Sequence, residues 1–239
     1  VSYRILPGGQ AEQLVLESLQ ARENPRWVLH GEFYEVDGQR GTQSHGLVSR
    51  WSPKHGFVSD ELDDDELPDP QNYIREALDL DSAEVLAELK RASEDNYDEH
   101  EVAGEWPKRA AGTPRHFQLA RNMFFGFLRK ALVTQIPVEE SWQIPAYVHF
   151  GGWNQCPDST LQCALWRYWQ EKYDAHIVSI NHDTIEAFVG NPPQTREDAL
   201  ALAWEQFYYC EDAVIQGTDT VSALAAELLD SDKWFFWWD

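Results

Sequence analysis

Residues 234–238 read Trp-Phe-Phe-Trp-Trp, and five adjacent rings constrain a fold more than any other stretch of this chain. Along a strand, neighbouring side chains point to opposite faces. Trp234, Phe236 and Trp238 would share one face, Phe235 and Trp237 the other. A strand covered on both sides takes this pattern. Five rings are more than one edge strand hides, so one face is expected in the core. The other is expected to be partly exposed, as a platform for a ligand or a protein partner.

The elements before this strand are also legible. Asp158 or Ser159 can cap a helix running to about Tyr173, with Leu161, Leu165, Tyr168, Trp169 and Lys172 along one side. Residues 176–180 and 184–189 form a hairpin around Asn181-His182-Asp183, ended by Pro192-Pro193. Thr195 with Asp198 predicts a capping box and a helix to about Cys210. A further helix follows Gly217 and Thr218, with Val221, Leu224, Ala225 and Leu228 inward. Upstream, residues 123–137 form a long apolar run whose β-branched end, Val133 to Ile136, favours a strand. Residues 142–150 read as another strand, with Pro145 placing it at an edge or a bulge.

In the N-terminal half, residues 11–22 read as a helix and 26–36 as a strand ending at an Asp37-Gly38 turn. A second strand is expected over residues 45–51. Residues 60–105 then carry 18 Asp and Glu against Arg75, Lys90 and Arg91. Helical spacing over residues 70–78 and 82–92 marks an acidic helical segment, with residues 60–70 and 94–105 as loops. Residues 106–122 contain Pro107, Gly112 and Pro114 and read as a connector. The class is therefore α+β, a mixed sheet packed with helices. The chain divides into an N-terminal portion, 1–120, and a C-terminal module, 121–239, that can share one sheet.

The chain has 41 acidic and 19 basic residues, a formal net charge of -22. Such a surface repels nucleic-acid phosphates and anionic membranes and attracts cationic partners. It also serves solubility alone. No apolar run approaches the roughly 20 residues of a membrane span. Residues 1–20 lack the basic and apolar regions of a signal peptide. The three cysteines, Cys156, Cys163 and Cys210, are odd in number and have no CxxC spacing. That argues against a disulfide framework and for a reducing compartment, the cytoplasm.

Four segments together resemble a known family. They are GGWNQCP at 151–157, LWRYWQEKYDAHIV at 165–178, NPPQTREDALALAWEQFYYCEDAVIQGT at 191–218 and WFFWWD at 234–239. In this order they resemble the bacterial "domain of unknown function 4253" family over residues 141–239. The resemblance implies a bacterial protein carrying this module, and it implies no activity. Residues 1–120 carry no such resemblance.

Within the first of these segments, Cys156 lies just before a helix N-terminus, where the dipole lowers a thiol pKa. His149 or His182 could act as its base and Asp183 could orient the base. That constellation would make a Cys-dependent hydrolase or transferase. The same residues also fit a glycine turn over a buried, inert thiol. His149, Cys156, His176 and His182 lack metal-ligand spacing, so neither metal nor cofactor is expected. Trp153, Asn154, Tyr208, Tyr209 and Trp237 are candidates for lining a pocket. Asp60, Glu61, Asp63, Asp64, Asp65, Glu66 and Asp69 are candidates for meeting a basic protein partner. The function expected first is an immunity-type protein that neutralises a basic toxin or another cationic protein, with the Cys156 enzyme as the alternative.

Overall fold

The computed structural model describes residues 2–36, 39–44, 47–52, 56–58, 67–94, 96–108, 116–122, 124 and 126–239. In chain order the strands are β1 (Tyr3–Leu6), β2 (Arg26–Val36), β3 (Gln39–Ser44), β4 (Leu47–Ser52), β5 (Gly56–Val58), β6 (Ala131–Ile136), β7 (Ala175–Ile180), β8 (Thr184–Val189) and β9 (Lys233–Trp237). The α-helices are α1 (Gly8–Gln20), α2 (Pro70–Asp79), α3 (Ser82–Glu94), α4 (Glu99–Ala103), α5 (Ile144–Val148), α6 (Ser159–Tyr173), α7 (Arg196–Tyr209) and α8 (Val221–Leu228). The protein is α+β with a mixed sheet, in the order β1-β6-β2-β7-β8-β9. The β2–β7 pair is parallel and the other neighbours in this order are antiparallel. From the far half of β2, a meander β3-β4-β5 continues the sheet.

Strand β2 comes from the first 120 residues but lies between β6 and β7, both from the C-terminal half. Its alternation explains the placement. Val28 joins the larger core, while Trp27 and Leu29 join the smaller one on the opposite face. Strand β6 does the same, with Leu132 and Ile136 on one side and Ala131 and Val133 on the other. Strands apolar on both faces belong at the centre of a sheet. At His30 the register of β2 shifts, and Gly31 supplies the positive φ of 94° that the bulge requires. The fully buried His30 ring donates from Nδ1 to the Ile180 carbonyl at 2.7 Å. Its Nε2 then accepts from the Thr134 hydroxyl at 2.7 Å, because a carbonyl can only accept. Burial lowers its pKa to about 3, so the ring is neutral as it joins three strands.

Helix α1 covers one face through Ala11 and Val15. The other helices named by the larger core, from α2 to α8, cover the opposite face. The densest part of that core is aromatic. Trp166 and Trp169 of α6 are fully buried, and Trp169 stacks on Phe236 of β9 at 5.9 Å and 5°. Offset ring pairs of this kind add about 0.5–1.5 kcal/mol each beyond area burial. Trp234, Phe236 and Trp238 are at most 2% exposed, whereas Phe235 is 46% exposed. The alternation read from the sequence is thus the alternation of the strand.

The caps expected in the last third form as read. Asp158 accepts from Leu161 N at 3.0 Å and Thr195 from Asp198 N at 3.2 Å. Residues 142–150 do not form a strand. They make a 3-10 turn, Ser141–Gln143, running into α5. The cause is a reciprocal capping box, in which Gln143 accepts from Glu140 N at 3.2 Å, with Pro145 in the first helical turn where its missing N–H costs nothing. Residues 94–105, expected as a loop, contain α4, capped by Asp98 onto His100 N at 2.9 Å. The strand expected over 45–51 is β4, and β3 precedes it. Val36 pairs with Gln39 across the Asp37-Gly38 turn, which lies outside the described residues.

Candidate functional site

The GGWNQCP turn is a joint between elements. Helix α5 ends at His149 in the left-handed conformation, φ 51°. Gly151 follows at φ 89°, and a Cβ there would lie 1.8 Å from the Pro157 carbonyl oxygen, so only glycine fits. Trp153 stacks on His182 at 5.2 Å and 12°, and Asn154 donates to the Asp239 carbonyl at 2.9 Å. The turn therefore holds the β7–β8 hairpin and the end of the aromatic strand. In that hairpin Asn181 Oδ1 accepts from Asp183 N and Thr184 N at 3.3 and 3.1 Å, and Thr184 donates to Asp183 at 2.9 Å. His149 meets Tyr73 of α2 edge-on at 5.9 Å.

Cys156 is 4% exposed. Its thiol receives a hydrogen bond from Gln162 Nε2 at 3.5 Å rather than from a histidine. Burial pushes its pKa well up, and Cys210 and Asp158 nearby push the same way. A buried thiol with a raised pKa does not favour an activated nucleophile. The helix-dipole effect is about 0.3–1 kcal/mol at an exposed terminus, and desolvation outweighs it here. Burial also raises Cys163 and Cys210, each to about 12. His176 sits elsewhere, bonded to Asp174 at 2.8 Å and Ser141 at 3.2 Å. Among the described residues no three His, Cys, Asp or Glu side chains are grouped to hold a metal ion.

Tyr209 is also a core group. Its hydroxyl donates to Gln162 Oε1 and accepts from Trp166 Nε1 at 3.0 Å. Tyr208 instead ties α7 to α4, donating to Glu99 at 2.8 Å. Tyr208, Tyr209, Trp153 and Asn154 are not among the residues that line the cleft beside Trp237.

Trp237 does line a cleft of about 370 Å³. The cleft lies beside edge strand β9, bounded by the end of α8, a π-helical turn (Ala213–Thr218) and the 3-10 turn Gln118–Ala120. Single π turns recur at functional sites, because the extra residue re-aims side chains. Glu186 of β8, 2% exposed, reaches the cleft on the same face as its cross-strand neighbour Phe235. Its carboxylate accepts N–H groups from Gln118 and Leu119, at 2.5 and 3.0 Å. Burial raises its pKa to about 7, against the lowering by those two N–H bonds. Glu227 on the wall is half-buried, and burial raises its pKa too. The lining bases are engaged outward, Lys233 with Asp232 at 2.8 Å and the His116 ring with Glu12 at 2.9 Å. Sequence reading missed Glu186. Its signal was one acid inside the apolar run Thr184–Val189, where an unpaired charge is costly.

The partner-facing acids Asp60, Glu61, Asp63, Asp64, Asp65 and Glu66 lie outside the described residues. Asp69 is described, and caps α2 by accepting from Gln71 N at 2.9 Å. Beyond it, α2 and α3 turn Ile74, Ala77 and Val85 into the core and leave Glu76, Asp79, Glu84 and Glu88 exposed.

Fold and cleft together define an α+β module: a mixed sheet, helices on both faces and an acidic cleft along one edge strand. Residues 132–239 match the family described as Domain of unknown function (DUF4253). The match begins inside β6, nine residues before the boundary read from the sequence motifs, and covers the C-terminal part of the chain. No curated protein and no solved structure matches the chain.

Proposed function

We propose that this chain acts by docking onto a cationic protein, as an immunity-type protein of the bacterial cytoplasm that neutralises a basic toxin. The observation that carries this reading is the solvent side of α2, α3 and α4. Asp79, Glu84, Glu88 and Glu101 are exposed there beside an exposed Leu78, with Arg75 and Arg91 as the exposed cations of α2 and α3. Lys90 is paired with Glu99 at 2.8 Å. An acidic face with an apolar spot suits a basic partner: long-range attraction speeds encounter by about 10- to 1000-fold, and the apolar contact slows release. Three cysteines present as free thiols fit a reducing compartment. The buried, raised thiol of Cys156 speaks against the hydrolase or transferase alternative.

The test compares the natural chain with a variant carrying Lys at positions 79, 84, 88 and 101 in a pull-down from the native cell at low and then high salt. A basic protein retained by the natural chain, released at high salt and absent from the variant supports the reading. Equal retention by both chains overturns it.

A further inference from the structure

The cleft beside β9 is separate from the acidic helical face, and its chemistry points to a different occupant. We propose that it binds a small organic cation, a guanidinium or primary ammonium group attached to a hydrogen-bond acceptor such as an amide carbonyl.

Three observations carry this. First, the acids and bases of the lining are not balanced. The ammonium of Lys233 is engaged by Asp232 and the imidazole of His116 by Glu12. Both of those partners stand outside the cleft lining. Glu186 has two backbone N–H donors for a group with about four acceptor sites, so it keeps capacity for a cationic donor. On the wall, the causes acting on Glu227 reduce to burial. A carboxylate removed from water without a counter-charge favours a cation strongly.

Second, a buried donor at the wall awaits an acceptor. Gln206 lines the cleft and is 2% exposed. Its Nε2 has no hydrogen-bond partner among the described residues. An unsatisfied buried donor costs about 1–3 kcal/mol, and an acceptor on the ligand would recover that. A bare cation offers none. The ligand must therefore carry both a positive group and a carbonyl-like oxygen.

Third, the size and the walls fit. A cleft of about 370 Å³ holds a ligand of amino-acid size. Phe235, 46% exposed, and Trp237 present ring surface to it. Aromatic faces attract cations, by about 0.5–2 kcal/mol. A free anion would meet Glu186 and Glu227 and be repelled.

The probe is argininamide acetylated at its α-amine, with the likewise acetylated citrullinamide as its neutral isostere, titrated into the full chain by calorimetry. Shifts of the tryptophan indole N–H signals are followed by NMR. A saturable argininamide isotherm at least tenfold tighter than that of citrullinamide, with one indole signal moving, supports the proposal. Glu227→Gln should weaken argininamide at least tenfold without lowering the thermal midpoint of the chain, since the amide removes a charge that burial disfavours. That variant keeps the test independent of Glu186, whose replacement also removes a structural hydrogen bond. No argininamide binding up to 10 mM (~10 mM marks a free energy near 3 kcal/mol), equal binding of the two probes, or an unchanged affinity in Glu227→Gln would each overturn it. Argininamide binding by the quadruple Lys variant at positions 79, 84, 88 and 101 should equal that of the natural chain. The cleft therefore stands or falls separately from the docking face.

Discussion

Glu186 is the residue whose environment departs furthest from its chemistry. It is an acid on a strand whose other side chains are apolar or small. The two N–H groups of Gln118 and Leu119 hold it in place, but burial dominates its protonation. In the folded chain it keeps its proton to about pH 7, against 4.5 for the ordinary carboxyl. Between those values the folded state binds the extra proton. Its contribution is therefore fully present below pH 4.5 and is lost as pH rises through 7. The loss is on the order of 3 kcal/mol at pH 8. Glu186→Gln should be less stable than the natural chain at pH 5, since an amide offers one acceptor to two N–H donors. It should also lose the downward slope between pH 5 and 8. Urea unfolding at several pH values reads both effects, and an unchanged slope would show that Glu186 titrates as an ordinary exposed acid. None of this was visible from the motif-bearing residues. The eye is drawn to Cys156, His149 and His182 by their types, whereas Glu186 is defined by what surrounds it. The residues beside it in the cleft come from positions 116–118, 206, 212–218 and 224–237.

Strand β9 shows how far a local pattern can carry an element. Its alternation set the two faces correctly: Phe236 is fully buried against Trp166, Trp169, Tyr209 and Trp238, and Phe235 is half open beside Glu186. Phe236→Ala should cost about 3–5 kcal/mol, the range for removing a buried ring from a packed core. Phe235→Ala should cost under about 1 kcal/mol, because the ring leaves little buried contact behind. Thermal or denaturant unfolding of the two variants decides it, and equal losses would mean that the faces are assigned wrongly. Helix α5 shows the opposite case. The segment Trp142–Phe150 is rich in strand-forming side chains, and β propensity favoured a strand. The Glu140/Gln143 capping box and Pro145 in the first helical turn outweighed it. Because nearly every side chain of α5 is buried, no amphipathic stripe marked it as a helix.

At the scale of the molecule, the family match starts at residue 132, yet the sheet it enters is incomplete without β2. Strand β2 lies between β6 and β7, and His30 bonds to both. A fragment of residues 132–239 would expose the edges of β6 and β7 and their apolar faces. It should therefore lack the near-ultraviolet circular dichroism of the intact chain and aggregate at micromolar concentration. A monomeric fragment with native-like tryptophan signals would show that β2 is dispensable. The sequence by itself determined the local elements of the last eighty residues, the α+β class and the acidity of the surface, because caps, turns and periodicity act over a few residues. Only the tertiary structure decided that a strand from the first forty residues completes the sheet, that Cys156 is sealed in the core, and that Glu186 ends at the floor of a cleft. Those outcomes depend on which distant surfaces remove each other from water, and nothing in the local order of residues encodes that pairing.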